Sequence, residues 1–243
     1  MKPNRAMPTN RILFVVTSAA RMSTSPAATG SWLEEVAAPY YAFLDAHCEV
    51  TIASPKGGAA PIDPKSTLPE NQTASTRRFD ADTAARKALG TTAKLASLKP
   101  NDYDAIFFAG GHGTMEDFPK DASVKSAIEA FYAARKPVSA VCHGPACFVG
   151  ACKPNGEAMI KGHRFSCFTD EEERLVGLEA NVPFLLASRL GAQGGTAVSA
   201  LPFSANVVVD GHLITGQNPA SAIPVAEAVI HQLRHGSTRS NAA

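Results

Sequence analysis

The sequence has almost no excess of charge and no long apolar run, and each absence excludes a class of function. Its 243 residues include 23 basic and 22 acidic side chains, a formal net charge of +1, and the basic residues form no stripe with interleaved aromatics. We therefore expect no nucleic-acid partner. No apolar run approaches the roughly 20 residues of a membrane-spanning helix, and residues 1–10 lack the apolar core of a secretory signal. The expectation is a cytoplasmic protein with no membrane partner.

Cysteine is scarce and irregularly spaced. The chain has five cysteines, an odd number without a C-x-x-C pair, at Cys48, Cys142, Cys147, Cys152 and Cys167. This spacing argues against a disulfide framework and against a zinc site. We expect reduced thiols and no bound metal.

Strand and helix patterns alternate along the chain, which is 45% hydrophobic and can bury a substantial core. Short apolar, β-branched runs, typical of strands buried on both faces, lie at 11–18, 49–54, 104–109, 137–141 and 206–209. Helical patterns lie at 31–46, 122–135 and 219–233, with weaker ones at 80–96, 170–175 and 182–190. The alternation predicts one α/β domain over 11–235, a doubly wound and mostly parallel sheet flanked by helices, with flexible tails at 1–10 and 236–243.

Two local patterns refine this prediction. In the 31–46 helix, Ser31 is a candidate N-terminal cap and Pro39 predicts a kink. The segment 55–69 is rich in proline and contains Gly57 and Gly58, so it cannot form a regular element. At this length it is expected to be a lid-like insertion after the second strand.

Cys142 is the candidate nucleophile. The strand 137–141 ends directly before it, and Gly144 and Pro145 then begin a helix. Ligands of open α/β sheets bind at the carboxyl ends of the strands, and a helix N-terminus favours a thiolate. The arrangement resembles a nucleophile elbow without the G-x-S-x-G sequence. A buried structural cysteine is the alternative.

Two further patterns fall at the same predicted edge of the sheet. The glycines around His112, at 110–113, follow the strand 104–109 and could present backbone N–H groups to an oxyanion, or form only a tight turn. Glu34 and Glu35 begin the 31–46 helix, where acidic residues often only complement the helix dipole. Adjacent helical residues point about 100° apart, so at most one of them faces Cys142 as a proton shuttle.

Together these motifs occur in the same order as in one known group of proteins. They are Glu35 with Pro39, GGHGTMED at 110–117, AVCHGP at 140–145 and TGQNPAS at 215–221. The chain resembles the ThiJ/PfpI superfamily of the class I glutamine amidotransferase-like fold, and within it the heat-shock-protein-31-like glyoxalase III branch. The resemblance implies a flavodoxin-like sheet.

The resemblance also implies roles for individual residues. Cys142 is the nucleophile, His143 its neighbouring histidine and Glu35 the buried acid beside the sulfur. The N–H groups of Gly111 and His143 would line an oxyanion hole, with His112 next to them. An acidic partner for His143 is implied in the run 170–173, where Glu172 is favoured over its neighbours.

The implied activity is the conversion of methylglyoxal, a 2-oxoaldehyde, to D-lactate through a covalent cysteine intermediate. No metal, nucleotide or glutathione cofactor is implied, because the thiol does the covalent work. A homodimer is expected. The alternatives are a stress-response chaperone or redox sensor of the same family, and an amidase, peptidase or isocyanide hydratase on the same scaffold. Glutaminase activity is disfavoured, because the segment 217–219 carries neither the histidine nor the acid of that triad.

Overall fold

A computed structural model describes residues 9–236, which contain a seven-stranded sheet. The nine strands are β1 (Arg11–Val15), β2 (Glu49–Ser54), β3 (Ala93–Lys94), β4 (Ala105–Phe108), β5 (Val138–Val141), β6 (Arg164–Phe165), β7 (Thr196–Ala197), β8 (Val207–Asp210) and β9 (Leu213–Gly216). The main sheet has the order β3-β2-β1-β4-β5-β9-β8, and β6 pairs with β7 separately. Of the strands within residues 9–236, only β8 and β9 pair antiparallel. Apart from residues 9, 10 and 236, the expected tails lie outside the described residues.

Eight α-helices connect and cover the strands. They are α1 (Leu33–Asp45), α2 (Ala74–Ala81), α3 (Thr83–Gly90), α4 (Thr114–Asp117), α5 (Ala122–Ala133), α6 (Asp170–Leu175), α7 (Leu186–Ala192) and α8 (Ala222–Gly236), all within residues 9–236. None of these described helices is long and apolar enough to cross a membrane.

The sheet separates two hydrophobic cores. Along β1, Ile12 and Phe14 pack with α1 and α8, whereas Leu13 and Val15 point the other way and pack with α5 and α7. All four side chains are buried, because successive strand residues point to opposite faces and helices cover both. The predicted doubly wound, mostly parallel α/β fold is confirmed.

Some local predictions are wrong. Trp32, not Ser31, precedes α1 at the cap position without a side-chain cap, and Ser31 Oγ instead accepts a hydrogen bond from the N–H of Thr17 at 3.3 Å. The weak helix predicted at 80–96 contains only the end of α2 and the whole of α3, which the Asp82 side chain caps, and its last part forms β3 and a 3₁₀ turn instead. Strand β9 was not predicted, although Asp210-Gly211 is a strong hairpin signal.

The insertion after β2 contains no strand. It forms two short 3₁₀ turns, Pro64–Thr67 and Pro69–Asn71, and then reaches Thr73, whose side chain caps α2. Its later part, with Asn71 and Thr73, lies beside the N-terminal turn of α1, where Thr73 contacts Glu34.

Candidate active site

Cys142 lies on a sharp turn directly after β5. Its φ of 59° is in the left-handed region, which a non-glycine residue rarely adopts. The turn is held from both sides, because the Cys142 N–H donates to Gly216 O at 2.9 Å and Phe168 N–H donates to Cys142 O at 2.8 Å. Strain of this kind, held by its surroundings, is typical of a nucleophile elbow.

Gly110 provides the space in which Glu35 and Cys142 approach each other. A Cβ at this position would lie 2.2 Å from Glu35 Oε2 and 2.9 Å from Cys142 Cβ. Any side chain here would push the two groups apart, so this glycine is required by the close packing of the site.

Glu35 reaches the sulfur from α1 and is completely buried. Neither carboxyl oxygen has a hydrogen-bond partner of normal geometry. Burial raises the pKa of Glu35 to about 8, and the adjacent Cys142 thiol and the backbone of Gly110 only partly oppose this rise. The side chain is therefore a neutral acid at neutral pH.

Glu34 points elsewhere. Its Oε2 accepts a hydrogen bond from Thr73 Oγ1 at 2.5 Å, which joins α1 to the insertion. Of the two adjacent glutamates, the structure places Glu35 beside Cys142.

The Cys142 thiol differs from the expected thiolate. Burial is the largest cause that raises the pKa of the thiol well above the ordinary value, and the nearby Glu35 carboxyl raises it further. The N–H of His143 acts in the opposite direction. The helix that follows is a short 3₁₀ helix, Gly144–Phe148, so few aligned peptide dipoles are available to favour a thiolate. The expectation of a depressed thiol pKa is wrong, and the thiol needs a base to become nucleophilic.

His143 is placed to act as that base. Its Nδ1 lies 3.3 Å from Cys142 Sγ and its Nε2 lies 2.7 Å from Glu173 Oε2. Burial and the nearby His112 lower the pKa of His143, so the imidazole is neutral. With Nε2–H donating to Glu173, Nδ1 is left as an acceptor for the thiol proton.

The acidic partner of His143 is therefore Glu173, and the choice of Glu172 is wrong. Burial alone would raise the pKa of Glu173, but His143 and His112 hold it well below the ordinary value. Glu172 and Glu173 are adjacent on α6 and point in different directions, and only Glu173 faces the two histidines.

Glu172 instead organises the loops around the site. Its Oε2 accepts from the N–H of Thr169 at 2.9 Å, which completes a capping box at the start of α6. Its Oε1 accepts from Phe203 N–H at 2.7 Å and from Asn218 Nδ2 at 2.8 Å. The sequence carries a signal for this structural function, because Thr169 and Glu172 have the T-x-x-E spacing of a capping box.

His112 is not free to bind substrate through Nε2. This nitrogen lies 2.7 Å from Glu173 Oε1, and the His112 ring lies 4.1 Å from that of His143 between centroids. His112, His143 and Glu173 also have ligand atoms within 4.8 Å of one another, so they could hold a metal ion. The hydrogen bonds of His112 to Oε1 and of His143 to Oε2 of Glu173 already explain why the three side chains lie close together.

The site opens into a cavity of about 490 Å³. Cys142, His143 and Glu35 form its buried floor, and Gly111 and His112 lie beside them. The remaining wall is mostly apolar and comes from α1, the insertion, α6 and the loops after β6, β7 and β9. These residues are Trp32, Glu34, Glu70, Asn71, Thr73, Phe168, Val176, Phe203, Asn218, Pro219 and Ala220.

A doubly wound α/β sheet with a cysteine elbow, a histidine–glutamate pair and a buried acid defines a class of cysteine-dependent proteins with the amidotransferase-like fold. The sequence model of the DJ-1/PfpI family matches residues 27–232. The chain belongs to this family.

Similar proteins cover nearly the whole chain. Glyoxalase 3 of Candida albicans is 33% identical over 211 residues, which are 83% of this chain and 89% of that protein. The glutathione-independent glyoxalase of Saccharomyces cerevisiae is 30% identical over 94% of this chain and 100% of its own length. The crystal structure of the Candida albicans glyoxalase III has a TM-score of 0.83 and 32% identity, covering 91% of this chain and 96% of that one. The structure of the 24 kDa rapid encystment protein of Francisella tularensis has a TM-score of 0.88 and 36% identity, covering 93% of this chain and 99% of that one.

Proposed function

We propose that the protein is a glutathione-independent glyoxalase that converts methylglyoxal and water to D-lactate. The observation that carries the proposal is the fully buried Glu35, without a hydrogen-bond partner of normal geometry, beside a thiol whose other side faces Nδ1 of His143. An internal redox reaction of a 2-oxoaldehyde needs this combination of a nucleophile, a base and a movable proton. Relatives named as glyoxalases at 30–33% identity support the same reaction.

In the first step Cys142 Sγ bonds to the aldehyde carbon. The thiol proton moves to His143 Nδ1, 3.3 Å away, and the resulting imidazolium is stabilised by the Glu173 carboxylate. The aldehyde oxygen takes a proton from Glu35, and the product is a hemithioacetal. The N–H groups of Gly111 and His143 would stabilise negative charge on this oxygen as it develops.

In the second step the Glu35 carboxylate removes the hydrogen from the former aldehyde carbon. The electrons of that C–H bond form the C–C double bond of an enediol, while the keto oxygen takes the proton held by His143. The neighbouring carbon then takes a proton back from Glu35, and the hydroxyl proton on the former aldehyde carbon passes to the Glu35 carboxylate as the carbonyl forms. The result is a thioester of lactate on Cys142, formed without an external oxidant or reductant. Water attacks the thioester with His143 as base, which releases D-lactate and restores the thiol.

The test is D-lactate production from methylglyoxal in a buffer without glutathione. The wild-type protein should produce D-lactate, and Cys142→Ala should produce none. Cys147→Ser is the matched control, because Cys147 is also buried but lies on the opposite core, and it should keep most of the activity. Normal turnover by Cys142→Ala would rule out the covalent mechanism.

A stress-response chaperone is a second candidate, supported by exposed apolar side chains near the cavity mouth. Leu175, Val176, Leu201 and Phe203 are 39–78% exposed on α6 and on the loop after β7. Such groups can hold unfolded chains. Suppression of the aggregation of a heat-denatured model protein by Cys142→Ala would support this function, because that variant cannot form the thioester.

We further propose one domain over 11–235, a homodimer and a cytoplasmic location. The five cysteines are unpaired thiols, which fits a reducing compartment. Light scattering should give twice the mass of one chain, and limited proteolysis should leave 11–235 intact. A monomer, or an internal cleavage that yields two stable fragments, would contradict these proposals.

A further inference from the structure

We propose that the site prefers uncharged 2-oxoaldehydes with a bulky apolar substituent, for which phenylglyoxal is the simplest probe. This inference rests on the proposed glyoxalase function and specifies the substrate that the cavity fits.

The size of the cavity is the first argument. Its volume of about 490 Å³ falls in the range of roughly 300–1,000 Å³ typical of sites for drug-sized ligands. Methylglyoxal has only a handful of non-hydrogen atoms and would contact the floor of the cavity alone. Most of the concave, largely apolar wall would then contact only water and not the substrate.

The orientation of the cavity is the second argument. Its reactive groups, Cys142, His143 and Glu35, are at most 4% exposed, whereas Val176 and Phe203 are 39% and 49% exposed. The aldehyde must therefore enter first and reach the floor. The substituent on the keto carbon then lies along the wall and points to the mouth.

The chemistry of this wall is the third argument. Trp32, Phe168 and Phe203 contribute aromatic rings to it, with Val176 and Pro219 beside them. The Phe168 ring also lies 4.5 Å from the His143 ring and 6.3 Å from the Phe203 ring between centroids. A substituent that packs against these rings removes apolar surface from water, and an aromatic one adds favourable ring–ring geometry.

The charges along the wall are the fourth argument. Glu34 and Glu70 are carboxyl side chains of the wall, and among the described residues that line the cavity none is lysine or arginine. Glu70 is exposed on the insertion. An anionic substituent would therefore meet acidic groups of like charge and no cation to pair with.

The experiment compares kcat/KM for methylglyoxal, phenylglyoxal and 4-carboxyphenylglyoxal, with lactate or the corresponding mandelate measured as product. We expect phenylglyoxal to exceed methylglyoxal by at least about tenfold, the effect of a small apolar group in a fitting pocket. The carboxylated analogue has the same ring, and its kcat/KM should be at least about tenfold lower than that of phenylglyoxal.

Phe203→Ala tests the wall directly. It should raise KM for phenylglyoxal more than for methylglyoxal, because only the larger substrate reaches this ring. Leu201→Ala is the matched control: Leu201 is 78% exposed on the same loop and does not line the cavity, so the ratio of the two substrates should stay unchanged.

The outcomes separate this inference from the proposed function. Turnover of methylglyoxal with no advantage for phenylglyoxal, or equal use of the carboxylated analogue, would overturn the inference and leave the glyoxalase function standing. Turnover of none of the three substrates would overturn both.

Discussion

Two buried glutamates flank the site, and they differ in charge. Glu35, on α1, is fully buried without a hydrogen-bond partner, and its pKa is raised to about 8. Glu173, on α6, is 5% exposed, yet its pKa is held below the ordinary value by two histidines at 2.7 Å. Burial is similar on the two sides, so the partners decide the charge.

This difference gives the site a direction. A neutral acid on the α1 side can donate a proton to a substrate oxygen, and the neutral His143 imidazole, oriented by the Glu173 carboxylate on the α6 side, can accept one from sulfur. Two titratable groups whose surroundings push their pKa values apart are the usual basis for assigning acid and base. The same helices provide built-in controls, because Glu34 and Glu172 are the immediate neighbours of the two acids.

Removing the neutral acid should have the largest effect on the rate. Glu35→Gln keeps the size of the side chain but cannot carry a proton, so kcat should fall roughly 10²–10⁴-fold. Capture of substrate by sulfur need not fail with it, and mass spectrometry should detect the adduct on Cys142. Glu34→Gln should keep most of the turnover, and the reverse pattern would reject Glu35 as the shuttle.

Removing the charged acid should have the next largest effect. In Glu173→Gln one carboxylate oxygen becomes an NH₂ group, which cannot accept a hydrogen bond from an imidazole N–H. His143 is then driven to the tautomer with a proton on Nδ1, where it cannot accept the thiol proton, and kcat should fall about 10²-fold.

Glu172→Gln is the matched control on the same helix. It disturbs the hydrogen bonds of Glu172 to Thr169 and Asn218, so the free energy of unfolding should fall by about 1.5–3 kcal/mol. Its kcat should fall less than that of Glu173→Gln. If Glu172→Gln loses more turnover while keeping full stability, Glu173 is not the partner that His143 needs.

A smaller effect is expected at His112, which we expect to position Glu173. His112→Leu removes the donor to Glu173 Oε1 and should lower kcat about 10–100-fold, a usual cost of losing a group that orients a catalytic side chain. His112→Gln can restore a donor near the position of Nε2 and should recover most of kcat. A raised KM with unchanged kcat in both variants would instead assign His112 to substrate binding.

Sequence patterns predicted the fold better than the orientation of these acids. The buried strands and the elbow at Cys142 are local patterns, because apolar runs and the Gly144-Pro145 start of a helix can be read directly. Glu172 and Glu173 differ by one residue, and which of them faces His143 depends on where α6 begins. The capping box between Thr169 and Glu172 was the available signal for that starting point.

The pKa of Cys142 could not be read from the sequence for a different reason. The pattern indicates a helix start behind the sulfur, which favours a thiolate. It does not reveal that the following helix is 3₁₀ or that the neutral Glu35 and the thiol are enclosed together. Desolvation depends on residues from several elements, and only their packing determines it.

The contrast between the two acids also predicts a dependence of stability on pH. Glu35 titrates at its ordinary pKa of 4.5 in the unfolded chain and at about 8 in the folded protein. Between these values the folded state binds one more proton than the unfolded state, so the free energy of unfolding falls by about 1.4 kcal/mol per pH unit from this group. The contribution is fully present below pH 4.5 and is lost as the pH rises through about 8.

Glu35→Gln removes this titration, so urea denaturation from about pH 5 to 8 should show a shallower decline in stability than in the wild-type protein. The variant should be the more stable protein at the alkaline end, where the wild-type side chain must ionise without a hydrogen-bond partner. Glu171→Gln neutralises an exposed carboxyl on α6 and should keep the wild-type slope. Equal slopes for the wild type and Glu35→Gln would mean that Glu35 is ionised in the folded protein, and the contrast with Glu173 would then disappear.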